Sequence, residues 1–383
     1  MKYIILVGDG MADEPIPELG GKTPLGSANI PNMDRVAKGG SGGLVKTIPE
    51  GLSAGSDVAN LSILGYDPRI YYTGRAPLEA ASIGIGLKEN EIGFRCNLVT
   101  VKDGKMFDFA AGHIKTGEAK GIIERLDKEL GNDKIRFYPG VSYRHLTIID
   151  SSLVTRHSSL VCTPPHNITG LPYKEFLPKG EGSELIKDLM EKSHAILKDR
   201  EYANMIWLWG EGMAVKLPLL TERFKIRGAV ISAIDLVKGL GILSGLKSID
   251  VPGATGYYDT DYEAKARYGL SALKDYDLLF LHVEAPDEAG HNKDLKEKIR
   301  AIENFDEKVV GRILDGLSGD FRILILSDHP TPISSGKHSS DPTPFAMYGK
   351  GVKPDRIESF CEKEAEKGIF IEEGFRLIEK LIC

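Results

Sequence analysis

The sequence predicts an α/β protein: a doubly wound, mostly parallel sheet with a smaller α+β domain inserted into it. Three observations carry that expectation. Apolar runs of strand length at residues 3–7, 205–209, 228–232, 278–283 and 323–326 mostly lack period-two alternation, so they read as parallel strands buried on both faces. Helical patterns at 183–197, 262–273 and 293–317 lie between several of these runs, giving the alternation of βαβ units with helices on both faces. The stretch 92–163 reads differently, because strand-like segments 97–102 and 105–109 flank Asp103-Gly104, a hairpin-turn dipeptide that signals an antiparallel layer.

Along the chain, run 3–7 is the first buried strand. Gly8-Asp9-Gly10 ends it too early for a signal-peptide core or a membrane helix. A helix-like segment 33–38 is followed by Gly39-Gly40-Ser41-Gly42-Gly43, expected to act as a helix stop and turn. Residues 57–64 form a helical run after a loop containing Pro49. In the insert, the 97–109 hairpin is joined by a helix at 116–130 and strand-like runs at 135–138 and 146–149. A proline- and glycine-rich tract at 164–182 is expected to return the chain, which places the inserted domain at 77–180 and the discontinuous main domain at 1–76 and 181–383.

Composition bounds the function. With 383 residues, 42% hydrophobic and 27% charged, the chain is long enough for two domains and excludes a disordered, collagen-like or bare coiled-coil protein. Lys plus Arg is 49 against 55 Asp plus Glu, a net charge of -6 that argues against nucleic acid as the main partner. Cys96, Cys162, Cys361 and Cys383 lie far apart with no CxxC pair, which suits a reducing, cytoplasmic setting and argues against a structural zinc on thiolates.

The chemistry-bearing residues sit at strand ends. Run 3–7 is followed by Asp9, run 278–283 by Asp287 and His291 in Pro286-Asp287-Glu288-Ala289-Gly290-His291, and run 323–326 by Asp328-His329. Ligands of an open α/β sheet bind outside the strand C-termini, so these side chains are expected to converge. Four of nine histidines, His282, His291, His329 and His338, fall within residues 282–338. Mixed carboxylate and imidazole donors suit Mn²⁺, Zn²⁺, Co²⁺ or Mg²⁺ without selecting one. In Gly55-Ser56-Asp57, Ser56 falls at a helix start, where free N–H groups and the helix dipole favour an anion; an ordinary N-cap is the competing reading.

Weaker patterns compete. Gly51-Leu52-Ser53-Ala54-Gly55 matches a nucleophile elbow, but Pro49-Glu50-Gly51 interrupts the strand that an elbow needs. Gly21-Lys22-Thr23 lacks the first glycine of a P-loop, and Gly84-Ile85-Gly86 lacks a full dinucleotide fingerprint.

Taken together, Gly8-Asp9-Gly10, Gly55-Ser56-Asp57, the 285–291 segment, Ser327-Asp328-His329 and His338 resemble the alkaline phosphatase superfamily of two-metal phosphoryl-transfer enzymes. Segments 56–68, 74–83 and 251–264 (VPGATGYYDTDYEA) are similar to the archaeal-type cofactor-independent phosphoglycerate mutases, and the resemblance covers nearly the whole chain. It implies an alkaline phosphatase-like fold, a cytoplasmic glycolytic and gluconeogenic enzyme, and a small-molecule phosphoglycerate substrate with no membrane partner. It implies two divalent ions, one held by Asp9, Ser56, Asp328 and His329 and the other by Asp287, His291 and His338. It further implies that Ser56 carries the phosphoryl group as phosphoserine and that the insert is a transferase domain closing over the substrate. A phosphoglycerate bears two anionic groups, so arginines are expected around it: Arg75, Arg95 and Arg144, with His113, His166 and Lys238 as further anchors. The alternatives are a metal-dependent phosphatase or phosphotransferase acting on another small alcohol, and a noncatalytic metal-binding protein, which has no need of the serine.

Overall fold

The computed structural model describes residues 1–154 and 159–383, which form two compact units, Met1–Tyr72 with Lys216–Cys383 and Thr73–Val215. The strands, in chain order, are β1 (Lys2–Gly8), β2 (Ser41–Val45), β3 (Glu91–Lys102), β4 (Lys105–Asp108), β5 (Ile135–Val141), β6 (Arg144–Asp150), β7 (Met205–Met213), β8 (Gly228–Ile231), β9 (Lys247–Ser248), β10 (Leu278–Val283), β11 (Phe321–Leu326), β12 (Thr343–Gly349) and β13 (Ile369–Ile371). No helix among the described residues is long and apolar enough to cross a membrane.

The first unit is built on a sheet of order β13-β2-β12-β11-β1-β10-β8-β9. Every pairing is parallel except those of β12 with β11 and β2. Ile4, Leu6, Leu279, Leu281, Ile323 and Ile325 share one core with Ala301, Ile302 and Phe305 of the helix Leu295–Phe305. The alternate residues Ile5, Val7, Leu278, Phe280, Leu324 and Leu326 are equally buried, so both faces are covered. That double burial explains why these runs are continuously apolar. Register matters more for function. Val7 pairs with His282 on one side and Leu326 on the other, so the three central strands end level at one edge of the sheet.

The second unit is an antiparallel sheet of order β4-β3-β6-β5, with β7 pairing β3 as well. Its hairpin turns at Asp103 and Gly104, both with positive φ (50° and 73°), as the turn dipeptide requires. The helix Thr116–Leu130 buries Ala119, Ile122, Ile123 and Leu126, an i, i+3, i+4, i+7 stripe, in the core of this unit.

Three expectations need correction. The chain leaves the second unit after Val215, not 180, and enters it at Thr73 rather than 77. The run at 205–209 belongs to β7, an antiparallel neighbour of β3, and the helix Ser183–Ile196 packs into the same core through Ile186, Leu189 and Met190. Met205, Ile206, Trp207 and Leu208 are all buried, so β7 mimics a parallel strand in sequence. The Pro/Gly tract holds short 3-10 turns inside the unit. Second, the glycine cluster ends the helix Pro31–Gly39 as expected but then enters β2 instead of turning. A Cβ at Gly43 would stand 1.8 Å from the Ile369 carbonyl oxygen, so these glycines admit close strand neighbours. Third, the long 293–317 pattern is interrupted by a π turn at Asp306–Gly311. There the Asp306 carboxylate accepts from the backbone N–H of Met33 (2.6 Å) and Asn32 (3.2 Å), capping the helix Pro31–Gly39.

His145 on β6 gives the second unit a pH-dependent stability. Its Nδ1 accepts from the Gly140 N–H at 2.9 Å, and burial pushes its pKa from 6.5 down to about 4. The unfolded chain takes up this proton near pH 6.5 and the folded one only near 4, so stability is complete above about 6.5 and declines between those values. Denaturant melts should show a loss approaching about 1.4 kcal/mol per pH unit in that window. His145→Gln, which retains an acceptor, should flatten this component; an unchanged slope in the variant would contradict the assignment.

Candidate active site

Asp9 follows β1 directly, Asp328 and His329 follow β11 after Ser327, and the helix Ala285–His291 begins two residues after β10. Because these strands end level, their side chains meet outside the same edge. The Asp9 N–H bonds the Val283 carbonyl at 2.9 Å, tying the first segment to the third. Ser56 opens the helix Ser56–Ile63, with extended Gly55 at its N-cap. Its Oγ lies 3.1 Å from His329 Nε2, and that same nitrogen is 3.5 Å from Asp9 Oδ1 and 3.6 Å from Asp328 Oδ2. Asp328 is clamped: Oδ1 accepts from the N–H groups of Gly10 (3.1 Å) and His329 (2.8 Å), and Oδ2 from Asn60 Nδ2 (3.0 Å).

Beside this group stands a second. The helix places Asp287 and His291 on one side, His291 Nε2 being 3.2 Å from Asp287 Oδ2. His338 Nε2 comes within 3.5 Å of Asp287 Oδ1 and 2.9 Å of His291 Nε2. His291 Nδ1 lies 2.9 Å from the Gly336 carbonyl and can only donate to it, an arrangement that turns Nε2 inward as a metal-binding histidine requires. The Thr331 hydroxyl bonds Asp287 Oδ1, and the His329 and His338 rings sit 4.1 Å apart. Two sets, Asp9–Asp328–His329 and Asp287–His329–His338, each bring their donor atoms within 4.8 Å of one another.

The electrostatics fit a cation in each. Burial, reinforced by neighbouring Asp328 and Asp287, pushes the Asp9 carboxyl well above the ordinary range. Burial also lowers the His329 pKa, so its ring stays neutral and presents a lone pair. For Asp287, burial favours the protonated form, but hydrogen bonds from His291 and His338 prevail and hold its carboxyl well below the usual range. The bond to Asp287 raises His291 to about 9. Three carboxylates thus share a small, largely buried volume, and Asp9 Oδ1 accepts no hydrogen bond there. Divalent ions would neutralise this charge and complete the orphaned oxygen, displacing the imidazole protons as they bind.

The second unit gathers the expected anchors. The Arg95 guanidinium lies 4.0 Å above the Trp209 ring, with Nε 3.0 Å from Glu79 Oε2. Trp209 meets His166 edge-on at 5.6 Å, and Phe109 bridges His166 to Tyr143, which in turn touches His113 and Arg144. Burial, and repulsion from Arg75 and Arg144 acting against attraction from Glu79, depress the Arg95 pKa. Lys238 does not join a cluster of this kind; its ammonium bonds Asp250 at 3.1 Å. Ser53 is exposed, and no strand runs into it.

Sequence reasoning missed the supporting polar residues Thr47, Asn60 and Thr331. Thr47 Oγ1 donates to the Asp328 carbonyl at 2.6 Å. Asn60 lies one helical turn after Ser56, a spacing that marked it for the same face, and its Nδ2 also reaches the Ser56 carbonyl at 2.9 Å.

A family profile described as 2,3-bisphosphoglycerate-independent phosphoglycerate mutase matches residues 37–203. The chain is 51% identical, over 100% of both sequences, to the protein of that name from Methanothrix thermoacetophila. It is 47% identical, again over 100% of both, to a Geobacter sulfurreducens protein named as a probable mutase of the same kind. Among solved structures, the PH0037 protein from Pyrococcus horikoshii aligns with a TM-score of 0.83 at 31% identity, covering 99% of this chain and 96% of that one. The cofactor-independent phosphoglycerate mutase from Thermoplasma acidophilum shares the fold, with a TM-score of 0.66 at 24% identity over 100% and 99% of the two chains.

Gly10 spaces the two donor groups. Its N–H holds Asp328, its φ is +60°, and a Cβ there would stand 2.6 Å from Asp287 Oδ1 and 2.7 Å from Thr331 Oγ1. Gly10→Ala therefore adds about 1–2 kcal/mol of backbone strain and displaces Asp287. Titration of the metal-stripped variant should show divalent-cation affinity reduced by about tenfold or more; wild-type affinity would refute the spacing role.

Proposed function

The chain belongs to the 2,3-bisphosphoglycerate-independent phosphoglycerate mutases, and on that premise we propose that it interconverts 3-phosphoglycerate and 2-phosphoglycerate through a phosphoserine at Ser56. The observation that carries this reading is the position of the Ser56 hydroxyl, at the first turn of a helix and within 3.1 Å of His329 Nε2 in a cluster of metal-type donors. Asp9, Ser56, Asp328 and His329 would hold one divalent ion and Asp287, His291 and His338 a second. When bound, such ions lower the pKa of the serine hydroxyl and screen the charge of the phosphoryl group.

Ser56 Oγ attacks the 3-phosphoryl phosphorus in line. The Oγ–P bond forms as the bond from phosphorus to the glycerate 3-oxygen breaks, and the serine's proton is made good on that departing oxygen. In the second half the glycerate 2-hydroxyl attacks the phosphoserine, its proton returns to Ser56 Oγ, and the Oγ–P bond breaks. Nothing is gained or lost overall, so one retained glycerate suffices and no bisphosphorylated cofactor enters. The positive end of the helix Ser56–Ile63 favours the phosphoryl group on its first residue.

We assign the glycerate-holding anchors to Arg75, Arg95, Arg144, His113 and His166, because guanidinium groups meet carboxylate and phosphate in paired hydrogen bonds. The Trp209, Phe109 and Tyr143 rings stiffen four of the five. Lys238 would contact the phosphate only by leaving Asp250. The reaction belongs to glycolysis and gluconeogenesis, and four free cysteines with no disulfide support a cytoplasmic setting.

A coupled assay from 3-phosphoglycerate without added 2,3-bisphosphoglycerate should show 2-phosphoglycerate formation, silenced by a chelator and restored by a divalent ion. Release of inorganic phosphate in its place would identify a phosphatase. Ser56→Ala should lower turnover by at least about a thousandfold, as loss of a covalent nucleophile does, while most of the bound metal remains. Undiminished turnover in that variant would remove Ser56 from the mechanism.

A further inference from the structure

Behind the Asp9–Asp328 group lies a buried chain of polar side chains to which the reaction above gives no role. His282, the penultimate residue of β10, is fully enclosed. Its Nε2 faces Asp9 Oδ2 at 3.5 Å and Asp328 Oδ2 at 3.9 Å, and its Nδ1 faces Glu284 Oε1 at 3.3 Å. Glu284 is held firmly. Its Oε1 accepts from Ser232 Oγ and the Ala233 N–H, both at 2.8 Å, and its Oε2 from Lys265 Nζ at 2.6 Å. Lys265 also donates to the His282 carbonyl at 3.0 Å and is wholly inaccessible to solvent.

Enclosing an ammonium and a carboxylate together costs more than an apolar pair of the same size, so the arrangement is not explained by stability alone. The imidazole it supports is aimed at two carboxylates from the side remote from its own acid, and neither ring nitrogen has a hydrogen bond of ordinary geometry. We propose that Lys265, Glu284 and His282 form a positioning relay that orients the Asp9 carboxylate, the one acid of this group without a clamp of its own, for the ion beside Ser56. The relay rests on the two-ion reading of the site. Lys265 anchors Glu284, Glu284 sets the plane of the His282 ring, and the ring sets Asp9, while Asp328 is held by Gly10, His329 and Asn60. The Asp287–His291–His338 group has a separate support, Thr331, whose carbonyl accepts from the buried Lys298 at 2.9 Å. The relay therefore acts on one ion and not on both.

The test uses the full chain, stripped of metal and titrated with Co²⁺, following both stoichiometry and the visible absorption of the bound ion. Wild type should take up two ions. His282→Leu should bind one as wild type does and the other about tenfold or more weakly, with the corresponding band altered. His282→Gln, whose amide reaches toward the same carboxylates, should recover part of the loss. Glu284→Gln, which preserves size, should shift the same band in the same direction, and this holds the test open if His282→Leu does not fold. In the mutase assay at limiting metal, both variants should lower kcat with little change in KM. Two ions bound with wild-type affinity and spectrum in His282→Leu and Glu284→Gln would overturn the relay alone. A wild-type chain that bound no ion would overturn the two-ion reading itself.

Discussion

Everything at the site depends on three parallel strands ending at the same level. β1 lies between β10 and β11, and its register with each puts Asp9 beside Glu284 and the Asp328-His329 pair. No single segment assembles the acids; hydrogen-bond ladders inside the sheet do, and those ladders are buried on both faces. The carboxylates are thus forced together by structure whose stability comes from elsewhere, the apolar core. Their mutual repulsion is what makes the cluster receptive to cations.

The buried cations of the protein itself follow the same logic. Lys265 matches Glu284 and Lys298 matches Asp13, each pair at 2.6 Å. Neither ammonium is spent on Asp9, Asp328 or Asp287. A lysine inserted among those three would satisfy them permanently and close the site to an exchangeable ion. The surrounding charges are compensated locally, and the central ones are left for a ligand.

Much of this was legible in the sequence because strand-end chemistry leaves a linear signature. An apolar run followed within two residues by Asp or Asp-His is visible without coordinates, and so is Asp287 four residues before His291. Ser56 fell between a glycine and a helical run, a placement that left open an ordinary N-cap; the structure puts Gly55 at the cap and Ser56 on the first helical position. Other features had no such signature. Asn60 and Thr331 act through hydrogen bonds to residues 268 and 44 positions away, and common polar residues at such separations look like any other. β7 was misplaced for a physical reason: although it pairs only with β3 among the described residues, it is covered on both faces, so it loses its alternation and reads as parallel. The insert boundary failed with it, since the Pro/Gly tract is an internal feature of the second unit.

Order of synthesis follows from the discontinuous first unit. Thr73–Val215 is continuous and holds all the partners its own sheet requires. β1, by contrast, is made well ahead of β10 and β11, its partners among the described residues, which follow some hundreds of residues later. On the ribosome its bare apolar edge must wait until the last third of the chain appears, the interval in which a nascent strand is most prone to off-pathway association. The strand whose pairing is completed latest is therefore also the one that carries Asp9 to the edge where Asp328 and His329 stand.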